Sequence, residues 1–305
     1  MLFINIMEIL REIKQIPNLS IASGFFDGVH IAHQKVIKGA VDYAKNNNTK
    51  SAVITFQNQP LCSLKHIEPS YISTRADSYD LIEKLGVDYL IELDFDKVYD
   101  LAPLDYLKYI VKNFSPCAIF TGFNHHFGYK RQGNPEFLKQ YQNSFNYKYF
   151  DIPAQKLNGK IVSSTTIRNF IKNGDIESAN SMLGREFFVK GTVVSGNQIG
   201  RTINFQTANI SYPKNLVFPL NGAYQVIAQL QDGREFKAIA NFGTKPTVSD
   251  KNIKTLETHI LQGFNQDIYA EELEIKFLKF LRPEQKFNSL DELKNQIKKD
   301  IASIN

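Results

Sequence analysis

The sequence predicts two domains in series: an α/β domain built on a parallel sheet, then a small antiparallel β-barrel followed by a C-terminal helix. Three observations predict it. The chain has 305 residues, about twice the ~150 residues at which one hydrophobic core usually stops growing. From Ser20 to about Ile152, short β-rich runs alternate with segments of helical period, the pattern of parallel strands joined by crossover helices. After Gly184, β-rich runs are separated by glycine, proline or polar turns, which is antiparallel texture. The predicted division is 1–184 and 185–305.

The elements follow in order. LSIASGFF, SAVITF, VDYLIEL and CAIFTG read as strands of the first domain. Between the first two, HQKVIKGAVDYAKNN places Val36, Ile37, Ala40, Val41 and Ala44 on one helical face, which should pack on the sheet. RADSYDLIEKLG repeats the helical spacing, and Gly86 suits a C-cap before the next strand. VSSTTIRNFI opens with a hydroxyl cluster ahead of apolar periodicity, a capped helix start. In the second domain FFVKGTVVSG, AYQVIAQL, EFKAIANFG, LETHILQGF and EELEIKFLKFL are strand runs, and SLDELKNQIKKDI carries a capping box from Ser289 to Glu292.

Composition narrows the function classes. Hydrophobic and charged fractions of 43% and 22% are those of an ordinary globular chain, without low-complexity segments. Cys62 and Cys117 lie far apart with no CxxC or His pair nearby, which argues against a disulfide framework or structural zinc and for a reducing, cytoplasmic setting. Glu8, Arg11 and Glu12 interrupt the N-terminal apolar residues before a signal segment develops, and no apolar run approaches the ~18–20 residues that span a bilayer, so no membrane association is expected. The net charge of +5 owes much to terminal lysines such as those of KNQIKKD, a solvated helix face. A nucleic-acid-binding β-domain would interleave lysines with aromatics on one strand face, and that stripe is missing.

Three constellations carry chemistry in the first domain. In GFFDGVHIAHQ, Gly24 and Gly28 bracket a loop after a strand, with Phe25 and Asp27 between them, and His30 and His33 enter the following helix. Residues three apart share a helix face, so both imidazoles can meet one anion at the helix N-terminus, where free N–H groups and the dipole already favour phosphate. Arg168 lies one turn into VSSTTIRNFI and could reach phosphate oxygens. TGFNHHFGYKRQGN is a glycine-containing loop after a strand. In the second domain, GTVVSGNQIGRTINFQTAN offers Gly191, Gly196 and Gly200 for a phosphate-covering loop, and Thr207 and Asn209 as oxygen ligands suited to Mg²⁺.

Taken together, these strings resemble the bacterial bifunctional riboflavin kinase/FAD synthetase family, in family order from about Ser20 to Asp300. The resemblance implies a nucleotidylyltransferase-type Rossmann-like domain, in which His30 and His33 match an HxGH element with Ala32 in place of its glycine. By the same resemblance Ser163, Ser164, Thr165 and Arg168 hold the β- and γ-phosphates of ATP, and Asn124 and His125 lie at the flavin site, His125 standing where a phenylalanine is common. TFQNQP resembles the family's TFxPHP but lacks its histidine. In the second domain GRTxGxPTAN is matched at Gly200, Arg201, Thr202, Thr207, Ala208 and Asn209, with Asn204 and Gln206 replacing glycine and proline. NFGTKPTV resembles a further family segment, LETH makes Glu257 the candidate catalytic base, and LRPEQKF puts Arg282 near the flavin. The implied chemistry is Mg²⁺-dependent: riboflavin and ATP give FMN, then FMN and ATP give FAD and pyrophosphate. The Asn204 and Gln206 replacements leave one alternative, a monofunctional FAD synthetase whose barrel has lost kinase activity.

Overall fold

Parallel pairing organises the N-terminal half. In a computed structural model of the chain, which describes residues 6–57, 68–194, 207–245, 253–261, 268–287 and 289–304, the order of elements is β1 (Glu8–Leu10), β2 (Leu19–Ser23), α1 (Ile31–Asn46), β3 (Lys50–Phe56), α2 (Arg75–Glu83), β4 (Tyr89–Leu93), α3 (Pro103–Phe114), β5 (Ala118–Gly122), α4 (Pro135–Tyr141) and β6 (Lys148–Ile152). A short pair, β7 (Lys156–Leu157) and β8 (Lys160–Ile161), precedes α5 (Ser164–Lys172) and α6 (Ile176–Leu183). The six-stranded sheet has the order β1-β4-β3-β2-β5-β6, every neighbouring pair parallel.

Both faces of this sheet are covered, so its strands are apolar on both sides. Ala22, Val53, Leu90, Ala118 and Phe120 pack with Val36, Ile37, Ala40 and Val41 of α1 and with Ile82 of α2. Leu19, Ile21, Ile54, Ile91 and Ile119 point the other way, into a second core with Leu107, Ile110 and Phe114 of α3 and Leu138 of α4. All five residues predicted for the inner face of α1 are buried. The predicted strands are β2 to β5, and Gly86 adopts φ +84° after α2, a conformation that glycine reaches without strain. Because the chain runs outward from β2 to β3 in one direction and from β5 to β6 in the other, the sheet's topological switch lies between β2 and β5.

The C-terminal half is a closed antiparallel barrel. Its strands are β9 (Phe187–Val194), β10 (Ala208–Ser211), β11 (Gly222–Leu230), β12 (Glu235–Lys245), β13 (Ile253–Ile260) and β14 (Glu272–Pro283), followed by α7 (Leu290–Ala302). Around the barrel the order is β10-β13-β12-β11-β14-β9, and β9 pairs back with β10. Alternation fills the inside: Phe187, Tyr224, Val226, Phe242, Leu256, Leu273, Ile275 and Phe277 are buried. Asn180 of α6 ties that helix to two strands, its Nδ2 donating to Phe277 O at 2.8 Å while its Oδ1 accepts from Phe187 N at 2.7 Å. The predicted cap of the last helix forms, Ser289 Oγ accepting from Glu292 N at 3.2 Å. The chain divides into two compact units, Met1–Ser164 and Thr165–Asn305. No helix among the described residues is long and apolar enough to cross a membrane.

Candidate active sites

In the first unit, the loop from β2 to α1 is folded tightly at the switch point. Phe26, Gly28 and Val29 all take positive φ (56°, 78° and 39°), and a Cβ at Gly28 would lie 2.9 Å from the Ile72 side chain. Left-handed geometry at two non-glycine residues costs energy and persists only where the surroundings impose it. Asp27 supplies that constraint. It is buried, its Oδ1 accepts from Ile72 N at 2.9 Å, and its carbonyl accepts from Ser164 Oγ at 3.0 Å. Thus the serine cluster at the start of α5 and the glycine loop are held together, with Asp27 bracing the loop.

His30 is the N-cap of α1: it is 4% exposed and its Nδ1 accepts from His33 N at 3.2 Å. An accepting Nδ1 leaves the ring proton on Nε2. The His33 ring stacks on that of His30 at 3.5 Å between centroids, 18° from parallel, and is buttressed edge-on by Phe26 at 5.3 Å. The two imidazoles therefore form one rigid unit at a helix N-terminus, where an anion is favoured.

The loop after β5, on the other side of the switch, carries Asn124 and His125. Asn124 is exposed; His125 is half-buried and packs beside Phe127 at 5.8 Å. Burial, reinforced by the charges of His126 and Arg131, lowers the His125 pKa to about 4, so the ring is neutral at physiological pH and can stack on an apolar surface without a charge. Phe127 roots the loop in the core against Tyr106 and Phe137.

In the barrel, strand register assembles the second site. Asn209 of β10 is the Cα partner of Glu257 on β13, and Glu257 is in turn the partner of Asn241 on β12. Residues directly opposite share a face, with Cβ atoms roughly 4.5–5.5 Å apart. That face is the outer one, since Ile210, Thr258, Leu256, Ala240 and Phe242 on either side of these residues are buried inside. The same rung continues through Ala223 of β11 to Arg282 of β14. Thr207, exposed, lies two residues before Asn209. Among the described residues no group of three or more His, Cys, Asp or Glu could hold a metal by itself. The hydroxyl and amide oxygens of Thr207 and Asn209 instead fit a hard cation that takes its remaining ligands from phosphates and water, as Mg²⁺ does.

Comparison with known proteins identifies the family. A family model described as FAD synthetase matches residues 12–166, and one described as riboflavin kinase matches residues 183–305. Proteins from Buchnera aphidicola subsp. Schizaphis graminum (34% identity, covering 98% of this chain and 98% of theirs) and Haemophilus influenzae (33%, covering 97% and 98%) are both named bifunctional riboflavin kinase/FMN adenylyltransferase. The chain belongs to the bifunctional riboflavin kinase/FMN adenylyltransferase family. A crystal structure from Streptococcus pneumoniae, described as a macrolide-efflux protein, shares the fold at TM-score 0.88 and 29% identity over 97% of this chain and 98% of that one. Both family models match, which favours the two-activity reading over a monofunctional synthetase.

Several residues expected in the sites of a riboflavin kinase/FMN adenylyltransferase take definite places. Gly191 lies buried within β9, where a Cβ would come 2.3 Å from Ser211 O; its small size serves a close strand approach. Arg282 is held by the last helix, its Nε and Nη2 donating to the Asp300 carboxylate at 2.8–3.1 Å. Ser163, Ser164, Thr165 and Arg168 lie at and within the first turns of α5. Gly24 leaves β2, its N–H donating to Ile54 O at 3.1 Å, and Phe25 packs near Tyr71. Gly196, Gly200, Arg201, Thr202, Asn204 and Gln206 lie outside the described residues, as do Asn58, Gln59 and Pro60 of the TFQNQP segment. Sequence reasoning missed Asn241: the NFGTKPTV string drew notice as a family segment, but only pairing places its first residue beside Glu257.

Proposed function

We propose that residues 185–305 phosphorylate riboflavin to FMN with ATP, and that residues 1–184 transfer the adenylyl group of a second ATP to FMN, giving FAD and pyrophosphate. The observation that carries this reading is that each family model falls on a polar constellation of matching chemistry: the stacked histidines at a helix N-terminus in one case, the Asn209–Glu257 rung in the other.

In adenylyl transfer, negative charge builds on the oxygens of the α-phosphorus as the FMN phosphate attacks. Donors fixed in advance at that position lower the barrier without reorganising. His30 offers Nε2–H from a ring whose other nitrogen is locked by the helix, and His33, stacked on it, is the second donor. Ser163, Ser164, Thr165 and Arg168 hold the departing β- and γ-phosphates, the Ser164–Asp27 hydrogen bond keeping the serine cluster against the glycine loop. Asn124 and neutral His125 receive the flavin, and Gly24, Phe25, Asp27 and Gly28 shape the nucleotide pocket.

In the kinase reaction, Glu257 accepts the proton of the ribityl 5′-hydroxyl as that oxygen attacks the γ-phosphorus. Thr207 and Asn209 would hold Mg²⁺, which when bound neutralises phosphate charge. Gly196, Gly200, Arg201 and Thr202 belong to the segment that meets ATP, whereas Gly191 lies buried in β9 and serves strand packing; Arg282 borders the flavin position. ATP as the common co-substrate and the unpaired Cys117 support a cytoplasmic setting.

The test is a time course with riboflavin, ATP and Mg²⁺, separating riboflavin, FMN and FAD, beside a parallel reaction started from FMN. FAD from both starts is expected. FAD from FMN alone would leave the barrel without kinase activity, and no conversion in either would overturn the reading.

A further inference from the structure

We propose that Glu284 recognises the sugar-alcohol chain of riboflavin, its Oε1 accepting a hydrogen bond from one secondary ribityl hydroxyl; this rests on the reading of Glu257 as the base and of Arg282 as bordering the flavin. With the 5′-hydroxyl at Glu257 and the ring near Arg282, the ribityl chain lies between them. Its secondary hydroxyls leave water there, and a buried hydroxyl without a partner costs binding energy.

The Glu284 carboxylate is brought to this stretch by hydrogen bonds. Glu284 directly follows β14, yet its side chain reaches across to β12. Its N–H donates to Asn221 O at 3.4 Å, just before β11, and its Oε2 accepts from Asn221 Nδ2 at 3.0 Å. The Asn221 amide is fixed in turn, because the same Nδ2 donates to Thr244 Oγ1 of β12 at 3.0 Å and its Oδ1 accepts from Lys254 Nζ of β13 at 2.8 Å. The lysine ammonium polarises the amide and strengthens what it gives to the carboxylate. The other carboxylate oxygen, Oε1, lies over Gly243 on the outer face of β12. A Cβ at that glycine would collide with it, and would stand 3.3 Å from Asn241 Nδ2. Gly243 is two residues from Asn241, the register partner of Glu257, which makes it a diagonal neighbour of the base at roughly 7–8 Å. A hydroxylated carbon chain can pass through that gap. Glu284 is exposed, and holding so long a side chain in one rotamer costs entropy that water-exposed contacts offset poorly. A staple across strand ends would account for the bonds of Asn221, but it would not require a glycine beneath the second carboxylate oxygen.

The experiment pairs deletions on enzyme and substrate in the full-length chain, reading kcat and KM for phosphorylation of riboflavin and of its 2′-, 3′- and 4′-deoxy analogues. Glu284→Ala should lower kcat/KM for riboflavin by roughly 10- to 100-fold, the equivalent of one hydrogen bond to a charged group, through KM for riboflavin and with KM for ATP within about twofold. Glu284→Gln, which keeps an acceptor without the charge, should fall between. Wild-type enzyme should turn over one deoxy analogue as poorly as Glu284→Ala turns over riboflavin. On that analogue Glu284→Ala should lose less than about twofold, because the partner hydroxyl is already gone. That near-equality also shows the variant barrel to be folded. The same fold-loss on riboflavin and on every analogue, or an undiminished Glu284→Ala, would overturn the proposal and leave the kinase reading intact. Riboflavin phosphorylation absent from the wild-type chain, or unaffected by Glu257→Gln, would instead remove the reading on which the proposal rests, and the proposal with it.

Discussion

His30 serves two ends through its two nitrogens, and a substitution can separate them. Nδ1 caps α1, and Nε2 carries the ring proton that the proposed adenylyl transfer uses. Alanine removes both, whereas asparagine, a good N-cap, removes only the second. His30→Ala should therefore lose about 1 kcal/mol of stability as well as adenylyl transfer; His30→Asn should regain the stability but stay about 10²–10³-fold slow in making FAD from FMN. Thermal denaturation beside FAD formation reads both, and an active asparagine variant would remove the imidazole from the chemistry. His125 gives a pH prediction. Its pKa is lowered from the ordinary 6.5 to about 4 in the folded chain, so the unfolded chain binds the proton more readily. Its contribution is complete above about pH 6.5 and declines as pH falls toward 4. His125→Phe removes that titration and should lose less stability than the parent between pH 7 and 5, as followed by denaturant titration; parallel losses would assign the acid sensitivity to other groups.

Glu92 of β4 ties four elements of the parallel sheet domain. Its side chain is fully buried and accepts from Arg11 Nε at 3.0 Å, just after β1, and from Arg75 Nη2 at 3.3 Å, the first residue of α2. Tyr79 of α2 donates to it too, and Arg75 Nη1 donates to Gln57 O, just past β3. Burial and the adjacent carboxylate push the Tyr79 pKa up, which keeps its hydroxyl a donor. The asymmetry of burial sets the prediction, because the arginines are 64% and 45% exposed and can return to water. Glu92→Leu should be close to neutral, but replacing both arginines by alanine strands a buried carboxylate and should cost about 3–5 kcal/mol, measured by thermal denaturation; equal costs would contradict this. Nothing local announced the cluster. VDYLIEL reads as an apolar strand with two acidic interruptions, Asp88 and Glu92, and the partners that turn Glu92 inward are 81 and 17 residues away in sequence. By contrast α1 was legible, since its five buried residues lie within one periodic segment. The three-residue β1 and the half-buried β6 offer too little periodicity to read.

At the scale of the molecule, sequence reading recovered both halves because their strands and helices lie in short periodic segments, where residues close in sequence are close in space. It missed what strand register creates: Asn241 is 16 positions from Glu257 by number yet its direct neighbour across β12 and β13. Assigning the two activities to separate stretches, residues 1–184 and 185–305, has a kinetic consequence. If each reaction is completed at its own site, FMN made at one site can serve another molecule, and two differently disabled chains should complement each other. A chain with His30→Asn should stop at FMN, and one with Glu257→Gln should make FAD from added FMN but not from riboflavin. Mixed with riboflavin, ATP and Mg²⁺, the pair should form FAD after a lag, because FMN must first accumulate in solution. Diluting both chains tenfold should lengthen that lag, since the producing and consuming steps both slow with enzyme concentration. Chromatographic time courses at two concentrations decide the matter: FAD with a concentration-dependent lag shows a released intermediate, whereas accumulation of FMN without FAD from the mixture would mean that adenylyl transfer accepts only FMN formed on the same chain.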